Sequence, residues 1–227
     1  MLMQTQLRTV SANQPHANTM PHLAPRGGFG AMEMMGSPMR FGSNEEIFGE
    51  GEPAEYVYKV TKGAVRTYKI LCDGRRQIGG FYLPGDIFGL EIGKEHQFSA
   101  EAINDVRVLV VRRSAVISLA ERDCDAAREL WSLTGRELSR VQEHLLLLVK
   151  SAQQRVACFL LEMSARLAAT DAVELPMSRQ DIADYLGLTI ETVSRTMTQL
   201  VSEQAIGLPS SRRVVLRNSG ALRQLNA

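Results

Sequence analysis

The feature that most limits how this chain can fold is a glycine. Gly187 separates two short runs with helical spacing, residues 177–186 and 188–200. Lacking a Cβ, glycine readily takes φ > 0, the conformation needed where one helix stops and another starts at an angle. Ahead of it, Ser178 stands three positions before Asp181 and just after Pro176. That is a capping box with the shorter Asp in place of Glu, and Ile182, Ala183, Tyr185 and Leu186 supply the helix's apolar face. Behind it, Thr189 can cap a second helix whose Val193, Met197 and Leu200 recur at i, i+4 and i+7. Two short helices on a tight glycine turn form a helix-turn-helix, whose second helix enters the DNA major groove N-terminus first.

The outward positions of that second helix are Ile190, Glu191, Ser194 and Arg195. Arginine can fork onto O6 and N7 of guanine, and glutamate can accept from N4 of cytosine. At i and i+4, Glu191 and Arg195 share a helix face. Alone, the pair would read as a surface ion pair worth ~0.3–0.5 kcal/mol; beside a cap, a glycine turn and apolar periodicity it reads as a base-reading pair. Downstream, residues 205–208 and 213–216 are β-like, and Arg212 sits at the basic tip between them, a wing suited to phosphate contact. Within 177–217 five arginines face four acids, Asp181, Asp184, Glu191 and Glu203, a balance of +1. So small a surplus predicts modest non-specific affinity and binding that needs two copies.

Upstream the texture changes. Residues 56–60, 65–70, 77–83, 98–103 and 106–111 are short β runs set off by turns, with Asp73-Gly74 a strong hairpin signal. Such spacing predicts an antiparallel β-roll or jelly-roll over 41–122. Residues 123–150 hold no proline, and Ala127, Leu130, Thr134, Leu138, Val141, Leu145 and Leu148 alternate at steps of three and four. This heptad seam predicts a helix of roughly 40 Å, longer than a core element of so small a protein requires. It is read as a dimer interface formed by Leu130, Leu138, Val141, Leu145 and Leu148. Residues 151–227 make the DNA-binding domain. Residues 1–40 are read as a mobile tail whose Met32, Met34 and Met35 pack on the body. The fold class is therefore α+β: β-roll, long helix, winged helix-turn-helix.

Other chemistries find little support. Cys72, Cys124 and Cys158 stand far apart, and the four histidines (His16, His22, His96, His144) form no pair at helical spacing. Neither a disulfide framework nor a metal site is expected. No apolar run reaches the ~20 residues of a membrane span, and no signal peptide is visible, so a cytoplasmic location is expected. The net charge of +1 carries no message about partners, so the DNA reading rests on the local motif.

The string Leu186-Gly187-Leu188-Thr189-Ile190-Glu191-Thr192-Val193-Ser194-Arg195 resembles the cyclic-AMP receptor protein/FNR superfamily of bacterial transcription regulators, and the likeness extends over about 41–217. It implies a β-roll sensor domain, a dimerising helix and a C-terminal winged helix-turn-helix. By position, Glu191 and Arg195 match the family's base-reading pair, Ser194 the FNR-branch serine that reads thymine, and Arg179, Thr189 and Thr192 phosphate-contacting positions. Ile190 stands where the cyclic-AMP receptor branch has a third base-reading arginine. The resemblance thus implies TTGAT-like inverted half-sites rather than TGTGA.

The sensor half departs from the family's patterns. Leu90 stands where a cyclic-nucleotide pocket has its ribose-holding glutamate, and Phe98 where it has the phosphate-pairing arginine. Losing that arginine removes the strongest contact such a pocket offers an anion. The FNR cluster needs four cysteines, three of them in an N-terminal tail that here has none, and His96 is the sole haem-ligand candidate in the roll. An FNR-like reader without an FNR-like sensor resembles the FixK-type branch. That implies an activator in a low-oxygen or nitrogen-fixation cascade, working with no cofactor, with DNA, a second copy of itself and RNA polymerase as partners. A second reading keeps the reader but gates it by a small molecule or by oxidation of Cys72, Cys124 or Cys158. A third makes the helix-turn-helix merely structural in an enzyme, and no nucleophile–base pair or phosphate loop supports it.

Overall fold

The computed structural model describes residues 35–91, 93–168 and 172–225. Most of the stretch assigned above to a mobile tail, Met32 and Met34 included, lies outside them. The boundary at 41 falls late, because Ser37–Phe41 is already strand β1, paired antiparallel with β8 (Val106–Arg112). The segment Ser-Pro-Met-Arg-Phe shows no clean alternation, and its residues are mostly exposed at a sheet edge where proline is tolerated.

Two four-stranded sheets face each other. One has the order β1-β8-β3-β6, with β3 Tyr56–Lys62 and β6 Ile87–Phe88; the other has β2-β7-β4-β5, with β2 Glu46–Phe48, β4 Val65–Ile70, β5 Arg76–Tyr82 and β7 Ser99–Ala102. The predicted hairpin joins β4 to β5, and Gly74 takes φ +84° at its turn. Between the sheets lie Phe48, Tyr58, Val60, Val65, Tyr82, Phe88, Val106 and Val108. Phe88 stacks on Tyr58 at 5.0 Å and meets Tyr82 at 5.2 Å. The antiparallel roll is thus filled by its own aromatic side chains.

On the outer side of β3, Val57 joins Ile87, Val111 and Val116, and helices cover them. These are α1, Arg113–Arg122, and α2, Cys124–Leu148. Leu119, Leu130 and Leu133 pack on that cluster. Here the expected seam divides. Leu138, Val141 and Leu145 are exposed, whereas Leu130 is held inside its own chain and Leu148 is half-buried beside Gly187. Seven residues before Leu138, Trp131 is 82% exposed as well. The heptad pattern fits two adjacent helix faces, and only packing against the roll shows which one remains open.

After Ser151 comes α3, Ala152–Arg166, then β9 Ala172–Glu174, α4 Arg179–Leu186, α5 Ile190–Ser202, β10 Ile206–Gly207, β11 Arg213–Leu216 and α6 Ser219–Gln224. The expected wing is present, and β9 pairs with β11 as a third strand that its short sequence did not announce. The roll and the C-terminal part are not separate bodies. One apolar cluster runs from Ile78, Phe81 and Leu83 of the roll to Phe159, Leu160, Ile182, Tyr185, Leu186 and Met197. No helix among the described residues is long and apolar enough to cross a membrane.

Candidate nucleic-acid interface

The turn between α4 and α5 forms as its residues require. Ser178 Oγ accepts from the Asp181 N–H while Asp181 Oδ2 accepts from the Ser178 N–H at 3.0 Å, a complete capping box. Gly187 closes α4 at φ +62°, ψ +39°. Thr189 then opens α5, its side chain accepting from the Thr192 N–H at 3.2 Å. Val193, Thr196, Met197 and Leu200 are buried, so the inner face of α5 is fully occupied by packing. Burial of this kind fixes the helix's rotation about its own axis.

That rotation exposes Ile190, Glu191, Ser194 and Arg195 together. The Glu191 carboxyl is held below its ordinary value, first by a backbone N–H at the helix start and then by the Thr189 hydroxyl. The nearby Arg195 charge acts in the same direction. A carboxylate and a guanidinium presented side by side on an exposed helix can accept from one base edge and donate to another.

The flanking residues differ among themselves. Thr189 is exposed and Thr192 half-buried, with their hydroxyls 3.1 Å apart. Arg212 is exposed at the wing tip. Arg179 is half-buried and its Nε donates to the Ser211 carbonyl at 3.3 Å, tying the start of α4 to the wing. Burial holds its pKa below the ordinary arginine value. Arg155, which the sequence reading passed over, braces the turn from α3 by donating to the Leu186 carbonyl at 2.8 Å.

On the roll side, the two positions that the family resemblance assigns to ribose and phosphate contacts hold Leu90 and Phe98. Leu90 packs on the apolar cluster of Val57 and Val111, and the Phe98 ring lies over Gly79 so closely that a Cβ there would meet it at 2.9 Å. Neither side chain offers a polar group of the kind a ribose or a phosphate pairs with. Cys72 and Cys124 are exposed and Cys158 half-buried, and among the described residues no cluster of three His, Cys, Asp or Glu could hold a metal.

Residues 154–225 match the Crp-like helix-turn-helix domain family and residues 38–123 the cyclic nucleotide-binding domain family. The chain is 53% identical over 199 residues to the nitrogen fixation regulation protein FixK of Azorhizobium caulinodans, covering 85% of this chain and 80% of that protein. It is 45% identical over 179 residues to the transcriptional activatory protein AadR of Rhodopseudomonas palustris, covering 77% and 75%. The structure of FixK2 from Bradyrhizobium japonicum superposes with a TM-score of 0.82 at 53% identity, covering 85% of this chain and 98% of that one. With its reader, wing and β-roll in this order, the chain belongs to the Crp/FNR family of DNA-binding transcription regulators, on the FixK-type branch.

Proposed function

We propose that the protein is a transcription activator that binds TTGAT-like inverted repeats as a homodimer, with no cyclic nucleotide or iron–sulfur cofactor. The observation that carries the reading is the joint exposure of Ile190, Glu191, Ser194 and Arg195 on a helix whose cap and inner face are fully committed elsewhere. Glu191, Ser194 and Arg195 read base edges, and Ile190 offers an apolar contact. Thr189, Thr192 and Arg212 meet phosphates; Arg179 does so while anchoring the wing. The open stripe of Trp131, Leu138, Val141 and Leu145 on α2 is where a second copy docks. The FixK relatives are named nitrogen fixation regulation proteins, which supports a role in nitrogen-fixation control. A role under low oxygen, and RNA polymerase as the activator's further partner, belong to the same proposal.

The test is selection from a random DNA pool by the purified protein with nothing added. Enrichment of spaced TTGAT inverted repeats is expected; enrichment only after adding a small molecule would overturn the ligand-free reading. A gated alternative has one observation in its favour, a cavity of about 320 Å³ lined by His144, Lys150, Cys158 and Tyr185 where α2 meets α3 and α4. Burial pushes the Cys158 thiol up, which lowers its thiolate fraction and its reactivity. Titrating DNA affinity against hydrogen peroxide separates the two, since ligand-free action predicts no change.

A further inference from the structure

The carboxylate of Asp181 is saturated, and its two oxygens serve different parts of the molecule. Oδ2 accepts from the Ser178 N–H at 3.0 Å and the Ser178 hydroxyl at 2.7 Å, closing the cap of α4. Oδ1 accepts from Arg66 Nη1 at 3.0 Å and Arg76 Nη2 at 2.6 Å, which come from β4 and β5 of the roll. Arg76 continues through Nε to Asp184 Oδ2 at 2.7 Å, and Arg66 through Nη2 to Glu101 Oε1 at 2.6 Å. The Asp181 side chain is 3% exposed and that of Arg66 10%. Beside this network Phe81 meets Tyr185 at 5.1 Å. Apolar contact supplies adhesion with little direction, whereas paired, desolvated hydrogen bonds between ions hold one orientation.

We infer that Arg66 and Arg76 are positioning residues: the β4–β5 hairpin fixes the orientation of the DNA reader, so that two readers in a dimer stand at a set spacing without a ligand. The inference rests on the dimeric, ligand-free reading proposed above. The chain of parts is short. The roll is packed on α2 through Leu130 and Leu133, the hairpin holds α4 through Asp181 and Asp184, and α4 shares its core with α5. Each link is packed or charged, and together they carry the position of Glu191 and Arg195 back to α2.

The experiment uses Arg76→Gln in the full chain, which removes two bonds to α4 and leaves the capping box intact. DNA affinity is measured by fluorescence anisotropy on three duplexes: a TTGAT inverted repeat at its selected spacing, the same repeat with one base pair inserted, and a single half-site. One inserted pair turns a half-site by about 35°. Wild type is expected to lose about tenfold on the inserted repeat, because both halves no longer engage together. Arg76→Gln is expected to lose about tenfold on the correctly spaced repeat, under about twofold on the half-site, and most of the spacing penalty. A purely structural role would lower all three affinities in step and keep the penalty, and that outcome overturns the inference. So does an unchanged variant. A wild type that binds no repeat until a ligand is added removes the functional reading and the inference with it. If Arg76→Gln melts below the assay temperature, Asp184→Asn breaks the same joint from the α4 side and is read by the same spacing penalty.

Discussion

The reader domain has two faces made from similar residues in opposite states. Toward the roll, Asp181 and Asp184 are bonded to the roll's Arg66 and Arg76 and are largely dry. Toward solvent, Glu191 and Arg195 stand exposed on one face of α5. The difference shows how one small domain can be both held and available. Charges bonded across to the roll fix where the helices sit, and charges held only by their own helix end, as Glu191 is, stay open to an external acceptor or donor. The outer face of α2 repeats the second condition with apolar groups, since Trp131, Leu138, Val141 and Leu145 lack the cover given to Leu130 and Leu133.

The contrast can be broken most severely from the inside. Asp181→Ala leaves Arg66 buried beside an empty site and removes an acceptor from the α4 cap, and a loss of about 3–5 kcal/mol in unfolding free energy is expected. A chemical denaturation curve shifted by less than ~1 kcal/mol would show that the joint is dispensable. Next comes Leu138→Glu with Leu145→Glu, expected to turn dimers into folded monomers and to remove whatever stability the dimer adds at working concentration. Sedimentation as an intact dimer would refute the open stripe. Arg195→Ala should cost ~1–3 kcal/mol in binding at one half-site base pair while leaving the melting temperature alone. Equal loss on every sequence would reduce Arg195 to a phosphate contact. Ser178→Ala removes one side of a capping box whose other side is anchored to the roll, and about 1 kcal/mol of stability should go with it.

The smallest effect is a pH dependence on the inner face. His144 lies 4.2 Å from the Tyr185 ring, and burial, with help from the Arg140 charge, holds its pKa below 6.5. The unfolded chain therefore binds that proton first, so stability contributed by the neutral ring is whole above pH 6.5 and declines as pH falls below it. Melting His144→Gln and wild type at pH 7.5 and 5.5 should show the gap between them narrowing at the lower pH. A gap that widens would mean the folded state prefers the charged ring.

Much of this molecule was readable residue by residue. Gly187 had to be left-handed, Ser178 and Thr189 had to cap, and Val193, Met197 and Leu200 had to face inward, so the outward set of α5 followed. The hairpin at Gly74 and the inner strands of the roll were equally plain. Other parts gave no such signal. β1 and β9 are short segments recruited to existing edges by β8 and β11, and their pairing lies in the partner strand rather than in their own pattern. Leu130 and Trp131 are neighbours with apolar side chains, and only the roll's Val57 and Val111 determine that the first is covered and the second left bare.

What the sequence determined by itself are the features settled within a turn or two of chain: caps, the glycine stop, helical faces and hairpin turns. A backbone group there finds its partner three or four residues away, so the local choice carries most of the free energy. What only the tertiary structure decided is the second duty of Asp181. Its sequence position announces a cap, yet Arg66 reaches it from 115 residues away and Arg76 from 105. No local pattern encodes a contact between surfaces more than a hundred residues apart in the chain. The orientation of the reader is a property of that meeting.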